Sequence, residues 1–89
     1  MNNFFEDMPI EAASMLEQLS RLQYELRENR NKLLQPYAVA DEEALLQLIV
    51  AGSVAEHPAY EHYLGAHSLA GARQAVHTEL QALLKEMEG

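Results

Sequence analysis

The side chains best suited to metal binding or acid–base catalysis lie close together in the sequence, just past the middle of the chain. Glu56, His57, Glu61 and His62 all fall within residues 56–62, and His67 follows shortly after them. His57 and Glu61 are four residues apart, so on a helix they would share one face. Imidazole and carboxylate groups are ligands that zinc and iron accept. The candidate metal ligands are therefore His57, Glu61 and His62.

The spacing of this cluster differs from that of established helical metal sites. It is not His-Glu-x-x-His, and it contains no Glu-x-x-His pair of the di-iron type. Pro58 also disfavours helical geometry at His57, which places that residue at a helix edge. The favoured interpretation is a solvated or capping role, and we predict no metal and no cofactor.

No other residues form a catalytic pattern. Ser20, Ser53 and Ser68 lack a Gly-x-Ser-x-Gly elbow, and the absence of cysteine excludes thiol catalysis. The scattered glycines form no phosphate-binding loop. General acid–base work by Glu61 or His62 would need something to position a substrate, and none is evident. We therefore predict that the protein is not an enzyme.

Composition indicates one acidic domain with a core. The chain has 89 residues, of which 48% are apolar, and its formal net charge is −8. Residues 33–72 contain no Lys or Arg. Such a surface repels phosphate backbones, so we predict no nucleic-acid partner. It would attract a basic protein, or it would simply keep a small protein soluble.

Several features predict a cytoplasmic location and no membrane contact. The absence of cysteine favours a reducing compartment. The first residues have neither the basic start nor the apolar run of a signal peptide. The longest apolar stretch, residues 44–55, is too short to cross a bilayer, which takes about 20 helical residues.

The first half of the chain predicts one long helix. After an arm at residues 1–8 that carries Phe4 and Phe5, the helix should occupy about residues 9–34. Asp7 suits its N-cap and Pro36 stops it. One stripe of this helix alternates steps of four and three residues, as in a coiled-coil heptad: Met8, Ala12, Met15, Leu19, Leu22, Leu26, Asn29 and Leu33.

Two interpretations of the stripe are open. A helix that packs on the rest of its own domain shows nearly the same pattern. However, the helix would be about 39 Å long, whereas a compact globule of this size is roughly 31 Å across. The excess length favours pairing with another chain, most simply a second copy.

Three more helices are expected. Asp41 is the predicted N-cap of helix 2 at about residues 42–56, which is apolar on nearly every side and should be the most buried; Gly52 offers an earlier end. Helix 3 should occupy residues 58–64 and end at Gly65, and helix 4 should occupy residues 69–87 with Ser68 as its N-cap. The predicted fold is an all-α bundle of three to four helices over residues 9–89, with helices 1 and 4 antiparallel around helix 2.

The resulting functional hypothesis is a protein–protein interaction module, an adaptor, small chaperone or inhibitory regulator that forms a homodimer through helix 1. A helix-turn-helix protein is disfavoured because residues 58–64 contain no Lys or Arg. The alternative is a metal-binding or enzymatic bundle built on His57, Glu61 and His62. The predicted interface residues are Met15, Leu19, Leu22, Leu26, Asn29, Leu33, Tyr60 and Tyr63.

Overall fold

A computed structural model describes residues 10–88, and it is all-helical, with no strand in that range. Helix α1 spans Ile10–Leu34, a 3-10 turn covers Gln35–Tyr37, α2 spans Glu42–Val50 and α3 spans Glu56–Glu88. The all-α prediction is thus confirmed. The predicted arm at residues 1–8, with Phe4 and Phe5, lies outside the described residues.

Helix α1 agrees closely with the predicted range of 9–34. Glu11 lies in its first turn and Lys32 in its last, where the helix dipole favours acid and base respectively. Pro36 follows in the 3-10 turn and cannot supply the N–H that a continuing α-helix needs.

Helix α2 begins where the sequence indicates and ends earlier than predicted. The Asp41 carboxylate accepts a hydrogen bond from the Ala44 N–H at 2.8 Å, which confirms the N-cap. The helix stops at Val50 rather than near residue 56. Gly52 adopts a left-handed φ of 74°, and the Ser53 N–H bonds back to the Leu48 carbonyl at 2.9 Å. This Schellman arrangement satisfies the last carbonyls and ends the helix.

The predicted helices 3 and 4 are a single helix, so the separation at residues 65–68 is wrong. His57 has non-helical dihedrals, which confirms the break before Pro58, and the helix then continues to Glu88. Gly65 serves close packing instead of termination. A Cβ added there would lie 2.9 Å from Leu33 Cδ1, so the absence of a side chain leaves room for the end of the Leu33 side chain in its present position.

The two long helices form an antiparallel hairpin that is closed by the 3-10 turn and α2. Leu33 lies against Gly65 near the closed end, and Gln23 shares a groove with His77 further along. The molecule measures 57 × 20 × 19 Å. The predicted antiparallel packing of the first and last helices is therefore observed, but the predicted position of helix 2 between them is wrong, because α1 and α3 pack directly on each other.

The buried core lies at the closed end of the hairpin. Leu34, Leu45, Ala59 and Ala66 are buried together, and Tyr37, Val39, Ile49 and Tyr63 are among the side chains packed around them. Helix α2 is only partly the buried helix that its composition predicts, because Leu45 is 0% exposed and Val50 is 75% exposed. Within residues 10–88, no helix is long and apolar enough to cross a membrane.

Candidate interaction surface and histidine cluster

The predicted seam of α1 is divided between the inside and the outside of the hairpin. Leu19, Leu26 and Leu33 are half-buried, and Leu33 packs against the core. Met15 and Leu22 remain 52% and 41% exposed. Asn29, one heptad beyond Leu22, is exposed as well. We call Met15, Leu22 and Asn29 the seam edge.

The seam edge is exposed because, among residues 10–88, only two helices form the open part of the hairpin. A pair of helices shares one line of contact, so an apolar stripe wider than that line extends past it. Leu34 is the one buried residue of α1, and it lies at the closed end. Along the open part, Val76 of α3 is the buried side chain. The helices there lack a second layer among the described residues.

The two predicted tyrosines have different environments. Tyr63 is half-buried against the core, whereas Tyr60 is exposed beside Leu64. The Tyr60 and Tyr63 rings stack with centroids 6.0 Å apart. The Tyr63 and His67 rings stack at 5.9 Å. Tyr63 therefore contributes to folding, and Tyr60 is available at the surface.

The histidine cluster separates into two pairs. His57 Nδ1 lies 2.7 Å from Glu61 Oε1, and both side chains are exposed. His62 Nδ1 instead lies 2.6 Å from the Tyr37 hydroxyl, which ties the 3-10 turn to α3. In the part of the chain that the structure describes, no three His, Cys, Asp or Glu side chains are placed to hold a metal ion together. His57, Glu61 and His62 thus do not converge on one point.

The contact between His57 and Glu61 shifts both groups. The hydrogen bond that the Glu61 carboxylate accepts from His57, and then the negative charge of Glu61, raise the pKa of His57. The same hydrogen bond lowers the pKa of Glu61. The ionic pair is therefore complete at pH values above the lowered pKa of Glu61 and below the raised pKa of His57.

Comparison with known proteins places the chain in a family. The family model described as "Uncharacterized protein MJ0235 family" matches residues 4–89. The chain belongs to the MJ0235 family. Neither the curated proteins nor the solved structures include a significant match to it.

In this MJ0235-family member, we expect Glu61→Gln to lower the pKa of His57 towards the ordinary histidine value, because the substitution removes the charge and weakens the hydrogen bond. NMR titration of the His57 ring protons measures the change. Glu56→Gln is the control, because Glu56 is the weakest of the groups that raise the pKa of His57. Equal shifts in the two variants would contradict the assigned contact.

Sequence reasoning missed the ion pair between Arg30 and Glu42. Arg30 Nε and Nη2 donate to Glu42 Oε2 at 2.9 and 2.5 Å. The two side chains are only 16% and 14% exposed. The position of each charge is already explained by the helix dipole, because Arg30 lies near the C-terminus of a helix and Glu42 lies in the first turn of one. No local signal indicates that the hairpin would bring the two together.

Proposed function

We propose that this MJ0235-family protein is a protein–protein interaction module that pairs with a second copy of itself through the seam edge. The observation that carries the proposal is the exposure of Met15 and Leu22, one heptad apart, after α3 has already packed on α1. Removing an apolar side chain such as Leu22 from water stabilises the complex by about 25 cal/mol per Å² of apolar area buried.

A second copy is a chemically suitable occupant of the seam edge. Two hairpins facing each other through α1 would form a four-helix bundle, the smallest arrangement that gives the open arms a shared core. A two-fold axis would bring identical stripes together, as an isologous interface requires. Asn29 would then lie in the seam, where one polar residue selects register and oligomeric state at some cost in stability.

The acidic exterior suggests what the dimer would do. With a net charge of −8, the surface outside the seam favours a basic protein partner over nucleic acid. We therefore propose an adaptor, small chaperone or inhibitory regulator of the cytoplasm, without catalytic activity.

The direct test is the solution mass by light scattering over a tenfold concentration range. We expect about twice the chain mass of 10.0 kDa. Leu22→Glu should reduce the mass to that of one chain, because a buried carboxylate in the seam is costly. Leu64→Glu is a matched control, because Leu64 is also a leucine on a helix surface and is 47% exposed.

Two results would contradict self-association. One is a single-chain mass at every concentration for the unaltered protein. The other is an equal loss of mass in Leu22→Glu and Leu64→Glu, since that would place the interface elsewhere. Circular dichroism on each variant verifies that the helices remain folded.

The metal-binding or enzymatic alternative has less support. It rests on the proximity of His57 and Glu61, while the Nδ1 atom of the third candidate, His62, already contacts Tyr37. A metal that binds the folded state would raise the melting temperature. Absence of a thermal shift on adding zinc or iron would eliminate this alternative.

A further inference from the structure

A polar groove of about 350 Å³ lies between the two long helices. Its position on α1 differs from that of the seam edge, because Gln23 follows Leu22 and is turned about 100° around the helix axis. The groove is lined by Gln23 and Arg30 from α1 and by Ala70, Arg73, Gln74 and His77 from α3. It is therefore a separate surface from the one that the proposed dimer would use.

The charge of this groove is opposite to that of the whole protein. The chain carries 14 acidic and 6 basic residues, yet the lining contains two arginines and a histidine and no carboxylate. Glu42 does not line the groove, but its ion pair with Arg30 neutralises the charge of that arginine. Arg73 is half-buried, and no ion pair joins it to another residue in the described range 10–88. Among residues 10–88, the groove thus retains a guanidinium whose charge is not balanced by a direct contact with a carboxylate.

The amide groups of the groove add hydrogen-bonding capacity. Gln23 Oε1 is buried without a hydrogen-bond partner among the described residues. Buried polar atoms of this kind usually have a partner in the protein, in water or in a ligand. The Gln74 amide lines the same groove and supplies both N–H donors and an acceptor.

We propose that the groove is a binding site for an oxyanion, a phosphate or carboxylate group held by Arg73 with Gln74 and His77. Guanidinium groups present a planar fork of donors that matches both of these anions. Arg30 is held in place by Glu42 through Nε and Nη2, so its Nη1 donors are not used by that ion pair. A hydroxyl or N–H group on the same ligand would donate to Gln23 Oε1.

The test is a titration of the full chain with inorganic phosphate and, separately, with acetate, at constant ionic strength set with sodium chloride. The signals observed are the Arg73 Nε–H and the side-chain amides of Gln23 and Gln74 in NMR spectra. We expect saturable shifts with at least one anion. Arg73→Gln should weaken that affinity at least about tenfold, because a charge-assisted hydrogen bond is lost.

Arg21→Gln is the matched control, because Arg21 is an exposed arginine of α1 that pairs with Glu17 away from the groove. The affinity of the Arg21→Gln variant for the anion should equal that of the unaltered protein. Tighter phosphate binding assigns the site to a phosphate-bearing ligand, and tighter acetate binding assigns it to a carboxylate. Shifts that do not saturate with either anion, or equal affinities in Arg73→Gln and Arg21→Gln, would overturn the proposal.

Discussion

Leu45→Ala is expected to reduce the free energy of unfolding by about 2–5 kcal/mol, the range for removing a buried leucine side chain. Leu45 is 0% exposed and lies in the cluster that joins α2 to both long helices. For a domain of this size, each kcal/mol lowers the melting temperature by roughly 4–8 °C. Urea denaturation followed by circular dichroism measures the loss.

Val50→Ala is the control for this substitution, because Val50 belongs to the same helix and is 75% exposed. We expect a change within about 0.5 kcal/mol, since little packing is lost and alanine favours helix. Comparable losses at the two positions would mean that α2 is not docked on the core as described.

Glu42→Ala is expected to cost about 2–4 kcal/mol, because it leaves the guanidinium of Arg30 largely buried with no acid beside it. The cost exceeds that of a surface ion pair, which is typically below about 1 kcal/mol. Thermal and urea denaturation at neutral pH, where the carboxylate is ionised, provide the measurement.

Glu43→Ala is a close control for Glu42→Ala. Both residues lie in the first turn of α2, so both interact with the same helix dipole, but Glu43 is exposed. The double variant Arg30→Met/Glu42→Leu should recover most of the lost stability, because no unpaired charge remains. If Glu42→Ala and Glu43→Ala cost the same, the ion pair contributes nothing beyond the dipole.

The residues that we expect to stabilise the fold and the residues that we expect to bind a second copy lie in different parts of the hairpin. Leu45, Arg30 and Glu42 lie at or near the closed end, where α1, α2 and α3 meet. Met15 and Leu22 lie on the open part of α1, where the structure describes no covering element. Leu45→Ala should therefore lower the melting temperature without changing the solution mass at temperatures where the protein remains folded. Leu22→Glu should instead reduce the solution mass, and it should lower the melting temperature only at concentrations where the unaltered protein is dimeric.

The sequence alone determined the features that depend on local interactions. These include the all-helical class, the range of α1, the Asp41 cap of α2 and the break before Pro58. Each follows from a residue that acts on its own neighbours: a proline restricts the preceding residue, and an aspartate accepts from an N–H three positions later. Local signals of this kind need no knowledge of the rest of the chain.

Only the tertiary structure decided how those helices are used. Gly65 had the local signature of a helix terminus, yet α3 continues through it, and the space beside its Cα is occupied by the Leu33 side chain of α1. Arg30 meets Glu42, and His62 meets Tyr37 instead of His57 and Glu61, because the hairpin folds distant segments together. The heptad stripe likewise predicted a seam but not its division, since the line along which α3 covers α1 depends on a helix elsewhere in the chain. Contacts between residues far apart in sequence decide these outcomes, and no spacing within one helix encodes them.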